Sequence, residues 1–514
     1  MIMLKHVSVF LAGFNLLAVI ALLFFCRKAL MTSFRETGKA ALILLAGIFI
    51  AQATTQIFMV APKHLVYIDE FWYMQAGRDI LARGFAPSYD KAIGWPLLCS
   101  LSYIIGGLNN YSPIYLNIFL SFLVPLAGFA AARMLLKSDA AAAITAAFCA
   151  FLPYKMVWAA SAETGTISLL FVLCALYASL LYYRTREKKV LWLAAAFWAY
   201  SAQIRPENLM FLALFAAGGL LLGERASLKE ILAPALCAIA VNAANFLVFA
   251  AFQSSTNWVQ NDSGGQLTGS NLSLHNLLYN TVHWAPRLVD TSLHPLLFTL
   301  IFLTGAVLLF RENRKVFYFL AVWLGLNYVF YFSAWFQVYG TTLTMFPKTK
   351  IYMFFYPPLM MCAAYALAKL VQTERKSIKA AGIFLAILTV GAMFAYSKNA
   401  SFRDTRRELE TRLVADADQI PDECTVITHA PVILQSVNHV HTVFSGEIAE
   451  SEPHRRALTT QSPCLLYLQD ITLDMPIDEF KRYDQQLRGQ FVFSQYAVYS
   501  LNGVTYRYYK LSPR

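Results

Sequence analysis

Long apolar runs are the feature that most restricts how this chain can fold. Its 514 residues are 58% hydrophobic and only 14% charged, whereas a soluble domain is about a quarter charged. A helix needs about 20 apolar residues to cross a bilayer core. About twelve runs approach that length, at 7–26, 40–60, 113–135, 140–158, 163–183, 190–204, 208–222, 231–252, 294–310, 316–334, 350–371 and 380–396. The sequence therefore predicts a mainly α, polytopic membrane protein.

The basic residues cluster in alternate connections between these runs. The clusters are Arg27, Lys28, Arg35 and Lys39; Arg133 and Lys137; Arg184, Arg186, Lys188 and Lys189; Arg225 and Lys229; Arg311, Arg314 and Lys315; and Arg375, Lys376 and Lys379. Lys and Arg are enriched in cytoplasmic loops, so these connections are predicted to be cytoplasmic. The net charge of +12 then reflects membrane topology and not a nucleic-acid partner. The expected location is a bacterial or archaeal cell membrane.

The chain is predicted to divide near residue 397. Residues 1–397 form the transmembrane domain, with large external loops at 61–112 and 253–293. The first loop contains Gly94–Leu108, an apolar run of about 15 residues that is too short to span comfortably. We expect it to form a membrane-embedded or re-entrant helix.

Residues 398–514 are predicted to form a small α+β domain outside the membrane. Helical periodicity in 401–419 is followed by strand-like segments at Thr425–Thr428, Cys464–Gln469, Phe491–Leu501 and Val504–Leu511. Asn502-Gly503 is a typical two-residue hairpin turn between the last two. Cys424 and Cys464 lie in this domain, and outside the cell they either form a disulfide or stay reduced.

The stretch that most suggests chemistry opens with two adjacent carboxylates, Asp69 and Glu70, in the first external loop. The residues that follow indicate a short helix ending at Gly84, with Asp69 as its N-cap. Their mixture of aromatic and charged side chains favours a helix at the membrane surface.

Other polar features are predicted on the same external face. They are Glu163, the pair Arg205 and Glu207, and the pair Lys348 and Lys350. Each feature also has a structural explanation. Asp69 and Glu163 could cap helices, Arg205 and Glu207 could brace a turn, and the two lysines could reach lipid phosphates. Charges near hydrocarbon usually face functional cavities, however.

Together, these side chains suit transfer of a group from a lipid phosphate. A carboxylate can accept the proton of an attacking hydroxyl. Arg or Lys can stabilise the charge on a departing phosphate. Two carboxylates can instead share a divalent cation with that phosphate. A lipid-anchored leaving group would explain why such machinery lies in a membrane.

Several of these segments resemble those of a known protein family. Asp69-Glu-Phe-Trp-Tyr73 resembles the Asp-Glu-x-x-Tyr signature of GT-C glycosyltransferases. The likeness is greatest to the family 39-like group, which includes protein O-mannosyltransferases and lipid A aminoarabinose transferases. Lys91-Ala-Ile-Gly-Trp-Pro96, Ser161-Ala-Glu163 and Ile204-Arg-Pro-Glu207 resemble further segments of such proteins. The resemblance covers roughly residues 40–396.

The resemblance implies an inverting transfer of a hexose or pentose from a polyprenyl-phosphate sugar to a lipid, glycan or protein acceptor. Asp69 is then the general base, and Glu70 positions the acceptor. The two carboxylates are also candidate ligands for Mg²⁺ or Mn²⁺. Arg205, Lys348 and Lys350 would contact the donor phosphate. Tyr73, Glu163 and Glu207 would line the polar cavity.

Departures from the family pattern limit these expectations. One predicted span precedes the usual first one. Phe346–Tyr352 contains Lys-Thr-Lys where relatives often have an Arg-Tyr pair. The Trp-Trp-Asp motif of oligosaccharyltransferases is not found, which argues against transfer of a whole N-glycan. A transporter or flippase of lipid-linked sugars is the alternative, since such proteins also carry intramembrane charges and broken helices.

Overall fold

The structure is a computed structural model that describes most of the chain. The described residues are 2–59, 68–87, 92–109, 111–222, 227–255, 274–284, 294–333, 335–338, 341–344, 353–402, 420–421, 423–428, 441–444, 448–449, 451–470, 477–501 and 504–513. The chain divides into two compact units. One comprises Met1–Pro62 and Tyr73–Phe402, and the other comprises Lys63–Trp72 and Arg403–Arg514. The domain boundary near residue 397 stays a prediction.

The membrane part is built almost entirely from helices. They are α1 (Ile2–Phe25), α2 (Arg27–Arg35), α3 (Lys39–Met59), α4 (Ile68–Arg83), α5 (Gly94–Gly106), α6 (Tyr111–Ser121), α7 (Leu123–Leu136), α8 (Asp139–Ala150), α9 (Pro153–Ala159), α10 (Thr164–Thr185), α11 (Lys188–Ile204), α12 (Leu212–Leu221), α13 (Leu228–Ser255), α14 (Leu274–Trp284), α15 (Leu296–Glu312), α16 (Arg314–Ser333), α17 (Tyr356–Val371) and α18 (Lys376–Phe402). A 3₁₀ helix, Pro206–Phe211, leads into α12, and strands β1 (Trp335–Val338) and β2 (Thr341–Thr344) form an antiparallel hairpin after α16.

Hydropathy of these helices confirms the predicted class. Seven segments of the described chain are long and apolar enough to cross a membrane: Ile2–Phe25, Lys39–Ile57, Tyr111–Leu136, Thr164–Thr185, Leu228–Val248, Arg314–Ser333 and Lys376–Tyr396. Four shorter apolar helices accompany them, at Gly94–Gly106, Asp139–Ala150, Pro206–Leu221 and Tyr356–Val371. The protein is therefore a mainly α, multi-pass membrane protein. The predicted count of about twelve spans is not confirmed.

Some predicted spans are interrupted for a local reason. The run at 140–158 is not one helix, because α8 ends at Ala150 and α9 begins at Pro153. Proline has no backbone N–H and suits the first position of a helix. Pro206 begins the 3₁₀ helix in the same way after α11 ends. The second interruption lies next to Arg205 and Glu207, which the sequence placed on the external face.

Contacts between connections agree with the predicted topology. On the side predicted to be cytoplasmic, Arg184 and Glu36 form an ion pair at 2.7 Å, and the Asp139 carboxylate accepts a hydrogen bond from the Gly38 backbone N–H at 2.7 Å. On the opposite side, the Lys5 ammonium donates to the Pro87 carbonyl in the first external loop. These contacts join segments that the charge pattern assigned to the same side of the membrane.

The C-terminal unit contains a five-stranded mixed sheet. Its strands β3 (Cys424–Thr428), β4 (His441–Phe444), β5 (Cys464–Asp470), β6 (Phe491–Leu501) and β7 (Val504–Pro513) lie in the order β4-β3-β5-β7-β6. Helices α19 (Glu452–Gln461) and α20 (Ile477–Gln490) accompany it. Ile427, Tyr467 and Leu487 lie in its apolar core. The small α+β fold is thus as predicted.

The four strands predicted for this unit are present, and one short strand was missed. The predicted hairpin is confirmed, since β6 and β7 are antiparallel and Leu501 pairs with Val504. The turn residues themselves, and the predicted helix at 401–419 beyond Phe402, lie outside the described residues. The sequence did not predict β4, whose four residues are too few to show an alternating pattern.

The two cysteines of this unit form a disulfide. Cys424 and Cys464 are joined across the neighbouring parallel strands β3 and β5, with 4.3 Å between their Cα atoms. The other cysteines, Cys26, Cys99, Cys149, Cys174, Cys237 and Cys362, are free thiols. The disulfide fits the predicted extracytoplasmic location, where such bonds persist.

Breaking this disulfide should destabilise the C-terminal unit. The bond closes a loop with a sequence separation of 40 residues, and loss of such a cross-link costs about 2–4 kcal/mol. We expect the double variant Cys424→Ser/Cys464→Ser to unfold this unit at a lower denaturant concentration, as measured by limited proteolysis of the purified protein. Cys99→Ser/Cys149→Ser is the matched control. Alkylation of both Cys424 and Cys464 in unreduced protein would contradict the assignment.

Candidate active site

Helix α4 carries the acidic pair in its first turn. The helix begins at Ile68 and ends at Arg83, and Gly84 follows with a φ of +77°. Glycine adopts this left-handed conformation readily and commonly ends helices, so the predicted end is found. The prediction that Asp69 caps the helix is wrong, because Asp69 is already helical. Its side chain lies outside the described residues, whereas that of Glu70 is fully buried.

Helix α4 packs tightly against α5, the short helix predicted to be embedded in the membrane. A Cβ atom added at Gly77 would lie 2.7 Å from the Cys99 Cβ and 3.1 Å from the Pro96 carbonyl oxygen. The Tyr103 hydroxyl of α5 also donates a hydrogen bond to the Met74 carbonyl of α4 at 3.3 Å. At about 1.5 Å per residue, α5 is about 20 Å long and falls short of the hydrocarbon core. Glycine at position 77 therefore lets α4 approach this embedded helix.

Replacing Gly77 by alanine should loosen that packing. Because Cys99 and the Pro96 backbone leave no space for a methyl group, we expect a loss of about 1–3 kcal/mol of stability. The thermal unfolding midpoint of detergent-solubilised protein should fall accordingly. Gly13→Ala in α1 is a suitable control, since a methyl group added there would meet no atom within 4 Å. An unchanged midpoint for Gly77→Ala would show that the two helices are not tightly packed.

Helix α5 also contacts two other segments that the sequence singled out. The Tyr200 hydroxyl of α11 donates to the Gly94 carbonyl at 3.0 Å, just before the turn that carries Arg205. The Trp95 indole N–H donates to the Ala162 carbonyl at 2.6 Å, next to Glu163. One embedded helix therefore links α4, the end of α11 and the start of α10.

Glu163 has a structural role. It is the N-cap of α10, and its carboxylate accepts the Thr164 backbone N–H at 3.0 Å. The Asn117 side chain fixes the same turn by donating to the carbonyls of Trp158, Ser161 and Glu163 at 2.7–3.0 Å. Of the two explanations that the sequence left open, helix capping is thus observed for this residue.

Arg205 and Glu207 form a buried ion pair. The Arg205 Nε donates to Glu207 Oε1 at 2.7 Å, and the guanidinium lies 5.5 Å from the centre of the Phe354 ring. Both side chains are almost inaccessible to solvent. The pair does brace the turn, as the structural explanation required.

The ion pair with Glu207 does not engage every N–H group of the Arg205 guanidinium. Its Nη1 is buried and has no hydrogen-bond acceptor among the residues that the structure describes. The hydroxyls of Tyr331 and Tyr73 lie within electrostatic range of Arg205. Tyr73 follows Asp69 by one turn of α4. Arg205 thus combines a fixed position with an N–H group left for an anion.

Further along α4, Asp79 lies beside Gln75 and Arg83. Burial raises the pKa of the Asp79 carboxyl above its ordinary value, although the Arg83 charge and a hydrogen bond from the Gln75 amide oppose that rise. The carboxyl is only half-buried and lies in the second half of the helix. It is therefore a useful comparison for the carboxylates of the first turn.

The structure reveals a fully buried lysine, Lys155, that the sequence did not single out. The Lys155 ammonium in α9 is fully buried and has no hydrogen-bond acceptor within the described part of the chain. Lys155 is the single charged residue in the run 140–158, and intramembrane charges are often functional. That signal could have identified it. Lys348 and Lys350, by contrast, lie outside the described residues.

The side chains that the structure describes form no metal-binding site. No three His, Cys, Asp or Glu side chains among them are close enough to hold an ion. The Glu70 side chain is described and that of Asp69 is not, so the pair alone does not define a coordination sphere. Metal binding by Asp69 and Glu70 stays a prediction.

Comparison with known proteins identifies the fold. ArnT from Cupriavidus metallidurans, solved with undecaprenyl phosphate, matches with a TM-score of 0.59 and 13% identity over 92% of this chain and 98% of that chain. The Archaeoglobus fulgidus oligosaccharyltransferase in its apo form matches with a TM-score of 0.55 and 11% identity, over 92% of this chain and 74% of that chain. The same archaeal enzyme, AglB, has been solved with an inhibitory peptide and a dolichol-phosphate, and that structure matches equally well.

These likenesses confirm the predicted resemblance at the level of the fold, which is that of the GT-C membrane enzymes. The likeness also extends well beyond residues 40–396. At the level of sequence, no protein-family model and no curated protein matches the chain.

Proposed function

We propose that the protein is a membrane glycosyltransferase that moves a sugar from a polyprenyl-phosphate donor to an acceptor on the extracytoplasmic side. The observation that carries this proposal is that Arg205 is buried, is held in place by Glu207 and has an N–H group without an acceptor among the described residues. The GT-C fold supports it, and so do the neighbours solved with undecaprenyl phosphate or dolichol-phosphate. Both ligands have the same chemistry, a phosphate on a long isoprenoid chain.

The proposed reaction is a single displacement. The Asp69 carboxylate accepts the proton of the acceptor hydroxyl, whose oxygen attacks the anomeric carbon of the sugar. The bond between that carbon and the phosphate oxygen breaks, and the bonding pair leaves with the phosphate. One attack from the opposite face inverts the configuration. Glu70 would position the acceptor.

Arg205 stabilises the departing phosphate in this scheme. A guanidinium fixed by Glu207 needs little reorganisation as negative charge develops, and such pre-arranged donors are the most effective. Glu207 is then a positioning residue for Arg205. Lys348 and Lys350 would add further positive charge for the phosphate. The Tyr73 hydroxyl lies within electrostatic range of Arg205, whereas Glu163 shapes the start of α10 by capping it.

The direct test is transfer by purified protein in liposomes. Polyprenyl-phosphate carrying a radiolabelled sugar should yield a glycosidic product and free polyprenyl phosphate in equal amounts. Movement of intact labelled lipid between leaflets, without any such product, would instead identify a transporter and overturn the proposal. Mass spectrometry of the polyprenyl-linked sugars that accumulate when the protein is absent would then identify the donor sugar.

A further inference from the structure

Lys155 has no function in the proposed reaction, although its burial requires an explanation. Its side chain is fully buried, and no acceptor for Nζ exists among the described residues. Lysine is almost never fully buried unless it is paired, because an isolated ammonium loses its hydration without compensation. The buried lysine near the N-terminus offers a contrast, since Lys5 donates to the Pro87 carbonyl. An anion from outside the protein would supply what Lys155 lacks.

The backbone around Lys155 is held firmly in place. The Lys155 carbonyl accepts a hydrogen bond from the Thr166 hydroxyl of α10 at 3.4 Å. The Met156 carbonyl accepts one from the Gln56 amide of α3, also at 3.4 Å. Before the start of α9, the ring of Phe151 packs edge-on against that of Phe394 in α18, with centroids 5.7 Å apart. Three helices therefore fix the backbone from which the Lys155 side chain extends.

This position is separate from that of Arg205. The turn that follows Arg205 is bound to α10 through Asn208, whose amide donates to the Ser168 hydroxyl at 2.7 Å. Lys155 is bound to α10 through Thr166, two residues earlier. Residues two apart in an α-helix point about 200° apart. The segments that carry Lys155 and Arg205 therefore attach to α10 at points on different faces of that helix.

The neighbouring helices indicate where an anion would come from. Helices α3 and α18, which contact the α9 region, are the least buried of the candidate spans, at 17% each, whereas α10 is 94% buried. Their outer faces expose large apolar side chains such as Ile43, Ile57 and Ile387. Such faces belong in lipid. An amphiphile in the bilayer can therefore bring an anionic headgroup to α9, and lysine is a common point-charge ligand of phosphate.

We propose that Lys155 binds the phosphate headgroup of a membrane lipid, at a second site that is reached from the bilayer between α3 and α18. The site lies outside the reaction proposed above, in which Arg205 holds the donor phosphate. Together with Arg205, it gives the protein two lipid-phosphate positions.

The test counts bound alkyl phosphates by native mass spectrometry of the full-length protein. Dodecyl phosphate should bind the wild type at two positions, and Lys155→Met should lose one of them, with its affinity about tenfold weaker or more. Lys155→Gln should behave in the same way, and Lys155→Arg should retain binding. Lys5→Met is the matched control and should leave both positions intact. Dodecanol, which has no charge, should not bind at the Lys155 position.

Several results would overturn the inference. The inference is wrong if Lys155→Met binds as many alkyl phosphates as the wild type does. It is also wrong if Lys5→Met loses a binding position as Lys155→Met does. Inorganic phosphate that competes as well as the alkyl phosphate would show that the site takes a free anion and not a lipid. A photoreactive alkyl phosphate on the wild type gives an independent readout, and it should cross-link α9 or the facing parts of α3 and α18. None of these readouts requires sugar transfer. If the proposed function failed, the wild type would bind one alkyl phosphate instead of two, and Lys155→Met would still be expected to lose the position at Lys155.

Discussion

Asp69→Asn should abolish sugar transfer while leaving the folded protein intact. The amide has nearly the same shape as the carboxylate, but it does not accept the acceptor proton. General base catalysis contributes about 10²- to 10⁴-fold to such reactions, so the rate constant for transfer should fall by that factor. Product formation from labelled polyprenyl-phosphate sugar in liposomes measures it, and the apparent affinity for the donor should change little.

The matched control for this variant lies in the same helix. Asp79→Asn also removes one carboxylate from α4, but at a half-buried position in its second half. We expect its transfer rate to stay within a few-fold of that of the wild type. Near-normal transfer by Asp69→Asn, in protein with a normal unfolding midpoint, would refute the assignment of the base. A comparable loss of transfer rate in both variants would show that transfer depends on the net charge of α4 and not on Asp69 in particular.

The second large effect concerns Arg205, and a pair of substitutions separates its two roles. Arg205→Met leaves the Glu207 carboxylate buried without its counter-ion, which typically costs about 3–5 kcal/mol. It also removes the proposed phosphate contact, so the apparent donor affinity should fall about tenfold or more, and more than the affinity for the acceptor. Thermal unfolding and donor titration measure the two effects separately.

The double variant Arg205→Met/Glu207→Gln decides between these roles. Removing both charges eliminates the unpaired carboxylate, so much of the lost stability should return. Donor affinity should stay low, because no guanidinium is present to meet the phosphate. If Arg205 only braced the turn, donor affinity would recover together with stability. Glu207→Gln alone keeps the cation and should weaken donor binding less than Arg205→Met does.

Much of the candidate site was predictable, because its signals are local. The helix that opens with Asp69 and Glu70 and ends before Gly84 follows from periodicity and from a residue suited to positive φ. The brace between Arg205 and Glu207 was one of two stated possibilities, since the residues are two apart beside a proline. The prediction that Asp69 is the N-cap was wrong because the helix already begins at Ile68, and a capping preference alone does not fix a helix boundary.

The rest of the candidate site was not predictable, because it depends on contacts between segments that are far apart in the sequence. Nothing local to Glu163 shows that Asn117 and Trp95 fix its turn, and so its role as a cap was not distinguishable from a place in the cavity. Lys155 was visible as a lone charge in an apolar run. That its ammonium is buried and lacks an acceptor within the described residues follows only from the packing of α3, α9, α10 and α18 around it.

The sequence by itself determined the membrane class, many of the apolar helices and the α+β character of the C-terminal unit, and it predicted the sidedness of the loops. Hydropathy and loop charge act residue by residue against a bilayer of known thickness, so they can be summed along the chain without knowledge of contacts. The tertiary structure alone decided which polar groups are buried, which of them satisfy one another, and that α5 joins α4, α10 and α11. These properties depend on which helices are neighbours. Because the apolar surfaces of the helices are similar, the local sequence of one helix does not show which other helix it packs against.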